Sequence, residues 1–153
     1  MTDDTAMQYA LEEARLAAED GEVPIGAIIL KAGKIIGRGR NTRETSNQSI
    51  RHAEINAIEA ACTTLKTWRL EDCTLYVTLE PCPMCAGAII QSRIARVVYG
   101  ADDPKHGAHV SQVNLFDVPF NHTVHVTSGV LAKDSKALLK KFFTALRKSS
   151  HGV

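Results

Sequence analysis

Apolar residues recur at helical spacing over residues 4–20, where Met7, Ala10, Leu11, Ala14, Ala17 and Ala18 share one side and Gly21 supplies a C-terminal cap. Pro24 then opens a short apolar run, Ile25 to Leu30, of strand length. Ala32-Gly33 reads as a turn, and residues 34–40 return as the second arm of a hairpin. Residues 41–50 are polar and read as a loop. Residues 52–65, rich in Ala and Glu with Ile55 and Ile58, predict a helix. A strand follows over 74–79. Pro83 suits the first turn of a helix that runs to Ser92. Residues 96–99 form a strand ended by Gly100, and 101–122 are irregular. A fifth strand is expected over 123–126 and a final helix over 134–148. No internal repeat, low-complexity tract or linker interrupts the series.

This order predicts an α/β domain: a mixed sheet of five strands with helices on both faces. At 153 residues, residues 1–153 form one domain of ordinary size. With 44% hydrophobic residues the chain can bury a core without disulfide staples. Cys62 and Cys73 sit in helix-like and strand-like apolar contexts and read as free thiols of a reducing cytosol. The acidic start, Met1-Thr2-Asp3-Asp4, lacks the basic and apolar runs of a signal peptide. No run approaches the ~18 apolar residues of a membrane span.

The net charge of +1 carries no message, but its distribution does. Residues 1–22 hold seven acids and one base. Residues 31–51 hold six bases (Lys31, Lys34, Arg38, Arg40, Arg43, Arg51) against Glu44, and residues 133–148 hold six against Asp134. Two basic segments could frame a phosphate-binding face, although a charge run alone is more often solvated surface.

The chemistry gathers in two motifs, His52-Ala53-Glu54 and Pro81-Cys82-Pro83-Met84-Cys85. One imidazole and two thiolates at C-x-x-C spacing are three good zinc ligands, and three protein ligands leave a tetrahedral position open for water, as in catalytic zinc sites. Such a water has its pKa lowered from ~15.7 to about 7. Both motifs begin predicted helices, whose N-termini favour the thiolate. Glu54 is then a natural proton carrier. Taken alone, C-x-x-C would also serve a redox pair or a structural zinc. Spacing alone does not bring Glu54 beside His52, because residues i and i+2 stand about 200° apart on a helix.

His-x-Glu followed by Pro-Cys-x-x-Cys is the known signature of the zinc nucleobase deaminases. Around it stand Trp68-Arg69-Leu70, then Leu75-Tyr76-Val77-Thr78-Leu79-Glu80, then Gly87-Ala88-Ile89-Ile90-Gln91-Ser92-Arg93-Ile94, and Arg96-Val97-Val98-Tyr99-Gly100-Ala101-Asp102-Asp103-Pro104-Lys105. With these the chain resembles the bacterial tRNA-specific adenosine deaminases, which edit wobble adenosine to inosine, over residues 7–147.

The resemblance implies a three-layer α/β/α sandwich of the cytidine-deaminase type, one zinc per subunit on His52, Cys82 and Cys85, and Glu54 on the water rather than the metal. Glu54 would carry a proton to ring N1 and later to the departing amine. The resemblance also implies a tRNA substrate, a cytoplasmic homodimer, and no membrane or organic cofactor. Asn41 matches an asparagine that bonds the extruded base; locally it reads equally as a turn residue. Val23, Pro24 and Ile25 match the apolar wall on which the base lies, and locally they also read as a strand entry; Ala53 is implied as a further substrate-binding residue. Asp103 and Lys105 match a loop that meets flanking nucleotides, and Asn121 a further pocket asparagine. Phe143 and Arg147 match a C-terminal helix against the RNA; locally they read as core packing and solvated charge.

Two departures concern specificity. Gly107-Ala108-His109-Val110-Ser111-Gln112 stands where small residues are expected after the Asp-x-Lys element, placing bulk near the mouth. Arg51 precedes His52 in place of alanine. The alternatives to a tRNA editor are a deaminase of another RNA or of a free base or nucleoside (guanine or cytosine), and a non-catalytic zinc or RNA-binding module.

Overall fold

The computed structural model describes residues 1–151. Residues 152 and 153, the end of the expected domain, lie outside the described residues. The elements run α1 (Asp3–Glu19), β1 (Gly26–Lys31), β2 (Lys34–Arg40), α2 (Arg43–Ser46), α3 (Ala53–Leu65), β3 (Cys73–Leu79), α4 (Pro83–Gln91), β4 (Arg96–Ala101), a 3₁₀ turn (Leu115–Asp117), β5 (His125–Thr127) and α5 (Ala132–His151).

The five strands lie in the order β2-β1-β3-β4-β5. β1 pairs antiparallel with β2 and with β3, while β3–β4 and β4–β5 are parallel. Strand alternation builds two cores. Ala27, Ile29, Leu75, Val77, Val97 and Tyr99 face α3 and α4 on one side, packing with Ala53, Ala57, Ala61 and Ile89. Ile28, Leu30, Tyr76 and Val98 face the other side, where Ala6, Met7, Ala10 and Leu11 of α1 and Leu138 of α5 cover them. Strands buried on both faces read as continuous apolar runs, which is why β1 shows no alternation in sequence. The result is the three-layer sandwich with a mixed sheet expected above.

β2 carries small residues where α3 crosses it. A Cβ on Gly39 would stand 2.2 Å from the Ala53 carbonyl oxygen, and one on Gly37 would stand 2.6 Å from that of Ala57. With Ala53, Ala57 and Ala61 stacked at i, i+4 and i+8, the helix lies directly on the strand. This close approach fixes the start of α3, and with it His52 and Glu54.

The elements differ from expectation at a few ends. The polar stretch 41–50 contains the one-turn helix α2, which begins just beyond Asn41. The fifth strand lies at His125–Thr127 instead of 123–126, because its register is set by pairing with Arg96, Val97 and Val98. The apolar helix α4 is largely ordinary core: Cys85, Ala86, Ile89 and Ile90 are buried, while Met84 is exposed.

Candidate active site

His52 and Cys82 are both N-cap residues with extended backbone, φ −76° and ψ 158° for one and φ −75° and ψ 171° for the other. Neither side chain caps its own helix. His52 therefore lies off the helical wheel, which removes the angular objection to a shared site with Glu54 in the first turn. Pro83 occupies the first position of α4, where no N–H is required. The helical starts of α3 and α4 thus converge, each presenting a partial positive charge.

His52 Nδ1 stands 3.6 Å from Cys82 Sγ and 3.6 Å from Cys85 Sγ, and all three atoms lie within 4.8 Å of one another. For Zn–S near 2.3 Å and Zn–N near 2.05 Å, a tetrahedral edge spans about 3.55 Å. The spacing thus fits a tetrahedral ion better than a set of hydrogen bonds, and the donor set suits zinc. The hydrogen bond from Cys85 is the largest influence on Cys82 and, with the His52 ring, outweighs burial, bringing that thiol down to about 4. Cys62 and Cys73, by contrast, are free thiols held above the usual range by burial.

Glu54 is buried. Burial pushes its carboxyl up to about 7, and the negative Cys82 beside it adds to the rise. A group poised near neutrality both accepts and returns a proton readily.

His52, Glu54 and Cys82 line the floor of a cavity of about 1130 Å³. Of the other residues expected there, Val23, Ile25, Asn41, Ala53, Asp103, Lys105 and Phe143 line it. Pro24 does not, although both its neighbours do. Asn121 is exposed and outside the lining, contrary to the expectation of a pocket asparagine; it follows the 3₁₀ turn on the surface. Arg147 is also exposed and outside the lining, one turn beyond Phe143, donating to Thr144 Oγ1 at 3.4 Å.

Asn41 is locked by the backbone. Its Nδ2 donates to the Val23 carbonyl at 3.3 Å, and its Oδ1 accepts from the Arg43 amide at 3.0 Å. One amide hydrogen and one lone pair remain free to meet a ligand.

The bulk expected at the mouth is mostly turned away from it. His109 points inward, with Nδ1 2.8 Å from the Tyr99 hydroxyl and its ring edge-on to Phe116. Gln112 and Val113 are the residues of that loop which reach the cavity. Arg51 likewise turns along α3, donating to Gln48, Asn56 and Glu59.

The first basic segment is partly spent within the chain. Arg40 pairs with Glu13 and Asp20 at 3.5 Å each, and Arg38 covers the Tyr9 ring at 5.3 Å. Arg51 pairs with Glu59 of α3, and Arg43 is the base of this stretch at the cavity. On α5, Lys140, Lys141 and Lys148 share one exposed face.

Two carboxylates of the site were not anticipated. Glu22 is buried and accepts from the Thr45 amide at 2.6 Å and the Glu44 amide at 3.0 Å. Glu80 is buried and accepts from the amides of Asp103, His109, Val110 and Ser111 and from the Ser111 hydroxyl. Burial opposes its charge, but those donors prevail and hold it down at about 2. No local sequence signal marks them, because both bind backbone amides more than twenty positions away.

Residues 1–147 match the MafB19-like deaminase family. The chain is 52% identical over 147 residues to the tRNA-specific adenosine deaminase of Bacillus subtilis (strain 168), covering 95% of this chain and 91% of that one. Among solved structures, a tRNA:A34 deaminase of A-to-I editing at the wobble position of transfer RNA superposes with a TM-score of 0.85 at 46% identity, covering 88% of this chain and 99% of that one. A guanine deaminase from Nitrosomonas europaea superposes with a TM-score of 0.80 at 29% identity, covering 91% and 83%. The chain belongs to the MafB19-like deaminases, in the family of the tRNA-specific adenosine deaminases.

Proposed function

We propose that this protein is a zinc-dependent hydrolase that converts adenosine to inosine in tRNA, at the wobble position of the anticodon. The observation that carries this reading is the convergence of His52, Cys82 and Cys85 at tetrahedral spacing beside the buried carboxylate of Glu54. Zinc, when bound by those three residues, supplies a nucleophilic water at neutral pH. Glu54 accepts one proton from the attacking water and passes it to ring N1 as the oxygen adds to C6. It then moves the second proton, from the new C6 hydroxyl, to the amine, which leaves as ammonia as the C6 carbonyl forms. Asn41, with its rotamer fixed from both sides, bonds the base edge, and Val23 and Ile25 press on its face. Phe143 closes the cavity from α5, where a neighbouring base can stack on it.

A stacked adenine cannot reach a buried centre, so the base must be extruded. Here the cavity of about 1130 Å³ helps choose the substrate. Small-ligand sites span roughly 300–1,000 Å³, so this one has room beyond a single base. Asp103 and Lys105 meet the flanking nucleotides at its edge. The enzyme acts in the cytoplasm as a homodimer with α4 and its exposed Met84 near the axis, and sedimentation at micromolar protein should read two chains.

The fold likeness to a guanine deaminase favours one rival, hydrolysis of a free base. Incubation with bulk tRNA and, separately, with free adenine, guanine and cytosine and their nucleosides decides between the two. Inosine in the tRNA digest with no free-base turnover supports the tRNA reading. Guanine turnover without inosine in tRNA overturns it.

A further inference from the structure

Glu80 ends the strand side of the site, two residues before Cys82, yet its carboxylate does not act on the reacting centre. It faces the segment that follows β4. Oε1 accepts from the Asp103 amide at 2.9 Å and from the Ser111 hydroxyl. Oε2 accepts from the amides of His109 at 2.9 Å, Val110 at 3.0 Å and Ser111 at 3.2 Å. Main-chain bonds repeat the stitch: the Glu80 amide donates to the Ala101 carbonyl at 2.8 Å, and the Ala108 amide to the Pro81 carbonyl at 2.8 Å. Gly107 passes so close that a Cβ there would stand 2.2 Å from the Glu80 carboxyl carbon. No lysine or arginine pairs with this buried anion among the described residues; converging N–H and O–H donors hold it.

The segment so held forms one wall of the cavity, through Asp103, Pro104, Lys105 and His106 between the Asp103 and His109 anchors and Gln112 and Val113 after the last. A wall without regular secondary structure keeps a fixed height only if something pins it. Glu80 is that pin, and it is joined through Pro81 to the Cys82 element on the floor.

We propose, on the tRNA-deaminase reading above, that Glu80 is a positioning residue for substrate binding. Its carboxylate sets the 103–113 wall against the His52, Cys82 and Cys85 centre and so governs how tightly the nucleotides beside the target base are held. Removing the pin loosens substrate capture and leaves the chemical step and the metal in place.

The test compares wild type, Glu80→Gln and Ser111→Ala. An amide at position 80 keeps the shape but loses the charge and turns one end into a donor facing donors. Zinc content, kcat and KM on an anticodon stem-loop RNA, and amide hydrogen exchange over residues 107–111 are measured. Glu80→Gln should retain zinc, keep kcat within about threefold, and raise KM about tenfold or more. Its 107–111 amides should exchange faster. Ser111→Ala, which touches only the wall side, should move KM in the same direction by less, and it decides alone where Glu80→Gln yields no folded protein. An unmoved KM in both variants beside an active wild type overturns the proposal. Loss of zinc with a fall in kcat at constant KM does so too, since Glu80 would then serve the Cys82 element. A wild type that forms no inosine in RNA overturns the substrate reading and this proposal with it.

Discussion

A Cβ placed on Gly39 would stand 2.2 Å from the carbonyl oxygen of Ala53, closer than any side chain can approach backbone. The oxygen belongs to the first turn of α3, between His52 and Glu54. Any residue but glycine at position 39 must push the start of that helix away from β2. Gly39→Ala should therefore cost about 1–3 kcal/mol, the usual range for overpacking a core. In a chain of this length that is a fall in Tm of several degrees, at roughly 2–4 °C per kcal/mol. Metal affinity should fall with it, because His52 moves with the helix. A melting curve and a zinc titration read both, and a variant with wild-type values of each would show that α3 is not held by this contact.

The metal ligands and Glu54 should separate by what their loss removes. Cys82→Ala and Cys85→Ala should release zinc and with it stability, since metal binding is coupled to folding. Glu54→Gln should keep zinc and fold and lose about 10²–10⁴-fold in turnover, the usual range for a general acid–base group. Elemental analysis alongside single-turnover rates checks both. Full zinc in Cys85→Ala, or an active Glu54→Gln, would break the assignment of that residue.

Glu22 predicts an acid-sensitive rim. Burial works against its charge, but the amides of Thr45 and Glu44 overcome that and hold the carboxyl below its usual 4.5. A carboxyl lowered in the folded state contributes stability that is complete above the unfolded value near 4.5. That contribution is lost as pH falls through the lower folded value. At pH 7 the wild type should exceed Glu22→Gln by about 1–3 kcal/mol, the worth of hydrogen bonds to a charged group. The gap should close below pH 4.5, as urea unfolding at several pH values would read. A gap that stays constant from pH 7 into strong acid would rule out the carboxylate as the source.

What sequence made legible follows from which interactions are local. The grouping of His52, Cys82 and Cys85 was legible because an imidazole and two thiols at C-x-x-C spacing are a metal-ligating donor set, whereas Glu54 rested on the resemblance, since spacing alone does not bring it beside His52. The sandwich was visible because β1, β3 and β4 are apolar over most of their length and α1 is apolar on one side. Glu22 and Glu80 were hidden because their partners are backbone amides more than twenty positions away, which carry no sequence signature. Asn121, outside the cavity lining in the single chain, was hard to place for a related reason. Position along an irregular segment does not fix direction, and the 3₁₀ turn before it leaves it on the surface. His109 looked like an obstruction because residue size is legible and side-chain direction is not; the Tyr99 hydroxyl draws it inward.

The same limit applied to charge, and it sharpens the remaining prediction. Two basic segments stood equal in the sequence, but folding spends much of one on Glu13, Asp20, Glu59 and Tyr9. The bases of α5 face solvent instead. Lys140, Lys141 and Lys148 recur at helical spacing with Thr144 on one exposed side, while Leu139 and Phe143 of the same helix line the cavity. An RNA that delivers a base past Phe143 must run its backbone along α5, where these lysines can neutralise its phosphates. Each contact adds about 0.7–0.9 to the slope of log affinity against log salt. Replacing all three lysines with alanine should lower that slope by about 2 and weaken tRNA binding most at low salt. The centre is untouched, so zinc content and the single-turnover rate at saturating tRNA should stay near wild type. Binding isotherms between about 50 and 200 mM salt provide the measurement. An unchanged slope would place the RNA backbone on another face and leave the deaminase chemistry of His52, Glu54, Cys82 and Cys85 intact.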